Sequence, residues 1–198
     1  QIKTEEQQAV LALHTERGIL IRERIACANS LRATLAEFGI TIAAGQSHLT
    51  RELPAILEDG ENGLSPFVRT SIYRQSKHIR ELEEQVKQVE EALASWYRTQ
   101  EACQRMAKIP GVGMLTATYV VAAVGNARQF STAKQFASWL GLTPKEHSSG
   151  GKQQLGGISK RGDGYFRYLL VHGARALTAW VNRNGAVEEN SWLQGLLE

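Results

Sequence analysis

The chain has 198 residues and a mass of 21.9 kDa, enough for one ordinary domain or for one domain with an extended arm. Its hydrophobic share of 42% and charged share of 22% are those of a folded globular chain, which excludes a disordered or fibrous protein. Net charge is only +3, but it is unevenly spread: residues 106–185 hold ten Lys and Arg against two acids, Glu146 and Asp163, and most of the Gly. A basic, Gly-rich block joined to an acidic, Gly-poor one reads as two functional units, and such basic surfaces usually meet phosphate.

No window offers the uninterrupted apolar run of a membrane span, so no membrane association is expected. The first residues lack the basic-then-apolar pattern of a signal peptide, and the absence of an initiator Met reads as a piece of a longer protein. Cys27 and Cys103 are too few for a disulfide framework or a four-ligand zinc site, and a reducing cytosol is the expected compartment.

The chain opens with a helix predicted at about 4–38. Thr4 and Gln7 make a capping box, Val10, Leu13, Leu20, Cys27, Leu31 and Phe38 recur at multiples of three and four, Gly18 is a weak point and Gly39 a natural stop. Residues 39–64 break the pattern, with only His48–Leu57 able to hold a short helix. Ser65-Pro66 then caps a long helix expected at 66–105. Ile72, Ile79, Leu82, Val86, Val89, Leu93, Trp96 and Cys103 form a heptad seam flanked by charge. That pattern predicts either a coiled coil between chains, hence a dimer or higher oligomer, or a helical hairpin with the first arm.

After Met106 the texture changes. Ile109-Pro110-Gly111-Val112-Gly113 precedes the small and apolar residues of 116–123, the pattern of a helix-hairpin-helix. Gly111 and Gly113 allow a tight turn in which phosphate approaches the backbone, beside the N–H groups opening the next helix and near Lys108. The plainer reading is a helix–helix turn that binds nothing. Phe130–Leu142 predicts a further helix capped by Ser131 or Thr132, and Thr143–Lys152 a loop. Gln153–Ile158 makes half of a small β-hairpin, Ser159–Gly164 a basic turn, and Tyr165–Asn182 a helix whose broad face includes Phe166, Leu169, Leu170, His172, Gly173, Ala176, Leu177 and Trp180. Arg167, Arg175 and Arg183 are spaced by eight along it, a spacing read as lining one side. A short apolar turn is expected around Trp192 and Leu196.

Few residues offer chemistry. Glu146 and Asp163 are too few for a two-metal site in the basic block, no metal ligands are expected in this chain, and HExxH, Walker A and GxGxxG motifs are absent. His147 beside Ser148-Ser149 lacks the elbow and third partner of a hydrolase triad. What remains is a Ser pair in a Gly-rich loop among Lys145, Lys152, Lys160 and Arg161. Such a serine is most often a turn residue or a phosphate ligand. It becomes a nucleophile only if something activates it and cations stabilise the developing charge.

The stretch from Ile109-Pro110-Gly111-Val112-Gly113 through Lys145-Glu146-His147-Ser148-Ser149-Gly150-Gly151 to Ser159-Lys160-Arg161-Gly162 and the helix after it resembles the carboxy-terminal serine domain of the IS-one-ten/IS-eleven-eleven group of bacterial insertion-sequence transposases, over about 108–180. The preceding helices resemble that family's coiled-coil insert. The resemblance implies a DNA recombinase guided by a structured, element-encoded RNA, acting in the bacterial cytoplasm at the nucleoid. It also implies assembly on paired DNA sites and a serine nucleophile attacking the DNA backbone. Ser149, directly before Gly150, matches that serine best, with Ser148 as the fallback. Lys152, Lys160 and Arg161 would neutralise phosphate, while Arg167 and Arg175 would hold the nucleic-acid backbone. An amino-terminal RuvC-like domain, whose carboxylates would bind Mg²⁺, has no counterpart here, so the chain alone is expected to bind nucleic acid and self-associate without cutting DNA.

The fold class expected is therefore mainly α: a long antiparallel helical arm over 1–105, a compact α-rich domain over 106–185 with a helix-hairpin-helix and a small β-hairpin, and a tail over 186–198. A non-catalytic helix-hairpin-helix module that binds nucleic acid and oligomerises is the alternative, and a scaffold with an ordinary basic surface the third possibility.

Overall fold

The computed structural model describes residues 3–152 and 154–184. The expected turn around Trp192 and Leu196 lies outside them. The protein is mainly α-helical, with seven α-helices, one 3₁₀ turn and one two-stranded antiparallel sheet among the described residues. It divides into two compact units, one of residues 12–92 and one that joins 1–11 to 93–198.

In the first unit the long helices are α1 (Glu5–Glu37) and α3 (Pro66–Thr99), with α2 (Gln46–Glu58) between them. Ser65 starts α3 as its sequence predicts, its Oγ accepting from the Val68 N–H at 3.4 Å. Every apolar seam residue of α3 from Ile72 to Leu93 is buried. Their partners lie in the same chain. Arg17 pairs with Glu90 at 2.6 Å and Arg24 with Glu83 at 4.0 Å, so as α1 ascends α3 descends. The seam is thus closed as an intramolecular hairpin, the second of the two arrangements that the heptads allow.

On α1, Val10, His14, Leu20, Ala28, Leu31 and Leu35 are buried, with Arg17, Ile21 and Arg24 half-buried between them. Leu13 and Cys27, expected inside, are only half-buried, and Phe38 is exposed. Gly18 does not interrupt the helix. Leu49 and Leu53 of α2 join Leu31, Leu35, Leu64, Ile72 and Ile79 in one core. The α2–α3 turn is tied by Arg69, whose guanidinium donates to the carbonyls of Leu57, Asp59 and Leu64 and to Asn62 Oδ1.

Burial of His14 has a measurable consequence. Its imidazole lies at 2% exposure, and burial, reinforced by the Arg17 charge, lowers its pKa from 6.5 to about 4. The unfolded chain therefore takes up a proton near pH 6.5 that the folded arm refuses until about pH 4. Stability is unaffected above that window and falls as pH drops through it, by about 2 kcal/mol at pH 5. Urea unfolding of the parent and His14→Leu at pH 7.5 and pH 5 checks this. The parent should lose about 2 kcal/mol more than the variant between the two conditions, and parallel losses would contradict it.

In the second unit, the amino-terminal end of α1 carries the capping box that its sequence predicts. The Thr4 N–H donates to Gln7 Oε1 at 3.0 Å and the Gln7 N–H to Thr4 Oγ1 at 3.2 Å. Glu6 accepts from the Trp96 indole at 2.6 Å. The helix expected to run to 105 breaks at Gln100, which takes an extended conformation before α4 (Glu101–Met106). Then follow α5 (Met114–Val124), a 3₁₀ turn, α6 (Ala133–Trp139), β1 (Pro144–Glu146), β2 (Leu155–Ile158) and α7 (Gly164–Asn184). Of the two expected caps of α6, Thr132 is the one used, its Oγ1 accepting from the Gln135 N–H.

The core of this unit gathers Val120, Val124, Leu140 and Phe166, with Phe130, Phe136 and Tyr119 packed edge-on around them. Of the broad face expected on α7, Phe166 and Leu169 are buried and Leu170, Gly173 and Leu177 half-buried, with Val181 completing the stripe. His172, Ala176 and Trp180 point outward instead.

Candidate nucleic-acid interface and serine hairpin

The sequence places two consecutive glycines, Gly150 and Gly151, between Ser149 and Lys152. Both adopt positive φ, 57° and 76°. That is the requirement of a type I′ turn, whose twist matches a two-stranded hairpin. Ser149 and Lys152 close the turn as directly opposed bridge partners, with the Lys152 N–H donating to the Ser149 carbonyl at 3.1 Å. Below the tip, His147 N–H donates to the Gln154 carbonyl, and the strands pair Glu146 with Leu155 and Pro144 with Ile158. Every described residue from Pro144 to Ile158 is exposed. The hairpin therefore stands on the surface and contributes nothing to the core.

The two serines differ in what holds them. Ser148 Oγ accepts from the Gln154 N–H at 3.2 Å, so this hydroxyl is part of the hairpin's own bonding. The Ser149 side chain has no hydrogen bond among the described residues and sits one residue from the turn apex, opposite Lys152. Directly opposed residues of an antiparallel pair have Cβ atoms about 5 Å apart, so a phosphate at the Ser149 hydroxyl lies within reach of the Lys152 ammonium. Lys145 is on β1, against Gly156 of β2.

The basic turn after β2 is folded back on the end of α6. Lys160 takes φ 57°, unusual for a residue with a Cβ, and its N–H donates to the Gly141 carbonyl at 3.0 Å. Gly162 touches the backbone of Trp139 and Leu140 so closely that no side chain fits. This packing leaves the Lys160 and Arg161 side chains exposed.

Arg167 has a different placement from the one its spacing implies. It is half-buried and donates to the Leu140 carbonyl at 2.8 Å and the Lys160 carbonyl at 3.2 Å, clamping the basic turn rather than standing free. Arg175 is exposed.

The α4–α5 connection is a helix-turn-helix in the literal sense. Gly111 has φ 82° and abuts the backbone of Gly173 on α7, so packing explains this glycine. Gly113 is the N-cap of α5, exposed, with open space where a Cβ would be, and Lys108 is exposed in the same turn. Ala117 and Ala122 are fully buried, the small side chains that close helix packing needs.

Among the described residues, Lys108, Lys145, Lys152, Lys160, Arg161 and Arg175 make no ion pair, whereas Arg17, Arg24, Lys77, Lys87 and Arg105 each face a glutamate. Unpaired, exposed cations are what an anionic partner needs, because it need not displace an internal carboxylate first.

The acids do not fit a divalent cation. Asp163, one of the two acids of the basic block, caps α7. Its Oδ1 accepts from the Phe166 N–H at 3.0 Å and its Oδ2 from the Tyr119 hydroxyl at 2.6 Å. Burial, with Asp163 beside it, pushes the Tyr119 hydroxyl pKa upward and keeps it a donor. Glu146 is exposed on β1, away from other acids in sequence, and no group of three potential ligands converges among the described residues.

The exposed hairpin carries Ser149, and exposed cations that make no ion pair among the described residues precede and follow it in the chain. Residues 103–188 match the Transposase IS116/IS110/IS902 family. The whole chain is 41% identical to the transposase for insertion sequence element IS1111A of Coxiella burnetii, covering 54% of that protein. It is 40% identical to a probable family 20 transposase of Pseudomonas aeruginosa, covering 58% of it. Over 91% of its length it is 37% identical to the transposase for insertion sequence element IS1328 of Yersinia enterocolitica, covering 56% of that protein. The chain thus spans little more than half the length of these curated relatives. No helix among the described residues is long and apolar enough to cross a membrane.

Proposed function

We propose that this chain is the carboxy-terminal part of a DNA transposase of the insertion-sequence type, carrying the serine that attacks the DNA backbone. The observation that carries the reading is the Ser149 hydroxyl, without a hydrogen bond among the described residues, beside the apex of an exposed hairpin and opposed by Lys152. In the step proposed, Ser149 Oγ loses its proton and bonds to the scissile phosphorus. One P–O bond of the strand breaks, and the departing DNA oxygen takes up a proton. The phosphoserine link conserves the bond for a second attack by another strand's hydroxyl, which frees Ser149 again. Lys152, with Lys145, Lys160 and Arg161, offsets the charge that builds on the phosphoryl oxygens.

In this reading activation of Ser149 is assigned to the part of the relatives' length outside the match; among the described residues no three potential metal ligands converge. A structured guide RNA and self-association belong to the same proposal. Because the heptad seam is filled within the chain, association would use other surfaces. The unpaired cations favour binding of DNA duplex with a strong salt dependence, as neutralised phosphates release counterions. A helix-hairpin-helix module without chemistry would show that binding too.

Covalent trapping separates the two readings. The chain is joined to the part of a relative that lies outside the matched length and incubated with DNA carrying the element's ends. A denaturant-resistant protein–DNA adduct that disappears with Ser149→Ala is the expected result. Binding without any adduct would leave only the binding module.

A further inference from the structure

One exposed stripe of α7 is used neither by the core nor by the serine hairpin. Tyr165, Tyr168, His172 and Arg175 follow one another at steps of three, four and three, so they lie on one face of the helix. Tyr168 is 54% exposed, and His172 and Arg175 are exposed. The rings are ordered against one another. Tyr165 and Tyr168 are nearly parallel, 15° apart with centroids at 6.1 Å, and the His172 ring lies 4.2 Å from Tyr168.

The order starts in the interior. Asp163 holds the Tyr119 hydroxyl, and the Tyr119 ring meets Tyr165 edge-on at 4.8 Å. The outer rings therefore extend from a fixed base, which lowers the entropy lost when a flat ligand settles on them.

The chemistry of the stripe selects its occupant. A dry protein interface would bury the Tyr168 phenol, an imidazole and a guanidinium, and each would then need a partner. An unpaired nucleobase offers a π-face to the rings, while its phosphates meet Arg175, which has no ion pair among the described residues. Helix α7 also begins directly after the basic turn that follows the serine hairpin. In the transposase reading, exchange of strands unpairs bases at the crossover beside that hairpin.

We propose that Tyr165, Tyr168 and His172 form a stacking platform for unpaired DNA bases, with Arg175 on the adjoining phosphate. The inference rests on the transposase reading and adds a single-strand site to it.

The test uses the chain as it is, with fluorescent oligo-dT, a mixed-sequence duplex and oligo-U as probes, across a salt series. Tyr168→Ala should weaken oligo-dT binding roughly tenfold, as loss of one stacked base does. It should leave duplex affinity and the salt slope of oligo-dT binding unchanged, since a stacking ring releases no counterions. Tyr168→Phe keeps the ring and should bind like the parent. Unaltered oligo-dT binding in Tyr168→Ala, or an equal loss on duplex, overturns the platform. If oligo-U binds more tightly and is alone affected, the occupant is RNA and the DNA assignment falls. A parent chain that binds neither duplex nor oligo-dT removes the transposase reading as well. Duplex binding with an indifferent Tyr168 removes only the platform.

Discussion

Ser149→Ala is expected to abolish adduct formation and strand transfer in the completed protein, by more than about a thousandfold, while leaving DNA affinity within about twofold. The two effects separate because of where the side chain sits. Ser149 contributes its carbonyl to the turn, by accepting from the Lys152 N–H, and its side chain to nothing in the described structure. Alanine keeps the carbonyl, and Gly150 and Gly151 keep the positive φ angles that make the turn. The hairpin should survive with its cations in place. Ser148→Ala has the opposite profile. It removes an acceptor of the Gln154 N–H, a loss of about 1 kcal/mol to an already exposed hairpin, and activity should fall only in part. Adduct yield and duplex affinity, measured on both variants and on the parent, check the assignment. An adduct that persists in Ser149→Ala and vanishes in Ser148→Ala would exchange the two roles.

How legible these features are in the sequence depends on whether one residue's chemistry or two distant residues' proximity decides them. The α3 seam is plain because its inward positions from Ile79 to Leu93 are apolar and their neighbours charged. The matching seam of α1 is hidden. Its inward positions include His14, Arg17, Arg24 and Ala28, which a hydrophobic pattern assigns to the solvent face. Apolar counting finds Val10, Leu20 and Leu31 but drifts to Leu13, Cys27 and Phe38. Arg17 and Arg24 sit inward only because Glu90 and Glu83 wait on the other helix, and nothing local to α1 announces that. The choice between a coiled coil of two chains and a hairpin of one depends on the same long-range pairs.

The serine region divides in the same way. Gly150-Gly151 flanked by Ser149 and Lys152 is a local turn signal, and the hairpin follows from it. The spacing of eight that groups Arg167 with Arg175 and Arg183 misleads, because eight residues advance an α-helix by more than two turns, about 80° past the starting face. Arg167 consequently meets the carbonyls of Leu140 and Lys160, while Arg175 faces solvent. The small residues of the helix-hairpin-helix pattern are present as expected. What the pattern does not reveal is that Gly111 answers to Gly173, sixty-two positions later, rather than to a ligand.

Those backbone approaches give the largest stability effects. At Gly173 a Cβ would fall onto the carbonyl oxygen of Gly111, and at Gly162 onto that of Trp139, both closer than any van der Waals contact. The obstacle is backbone in each case, so no rotamer change relieves it. To admit a methyl group, α7 must move away from the hairpin turn, or the basic turn must lift from the end of α6. Either shift loosens the packing of Phe166 and Leu140. Gly173→Ala and Gly162→Ala are each expected to destabilise the domain by about 3 kcal/mol or more, the upper range of overpacking. Gly162→Ala should also displace Lys160 and Arg161, lowering DNA affinity even where the chain stays folded. Two controls isolate the cause. Gly164 opens α7 with only the tip of Arg167 near its Cβ position, at 3.6 Å, and Gly113 has open space at ordinary φ, −86°. Gly164→Ala should be neutral or stabilise by about 0.5 kcal/mol, and Gly113→Ala should leave stability within about 0.5 kcal/mol. Thermal unfolding of the four variants orders them. If Gly173→Ala unfolds with Gly113→Ala, the hairpin and α7 do not meet backbone to backbone, and the placement of every residue hung from that contact must be redrawn.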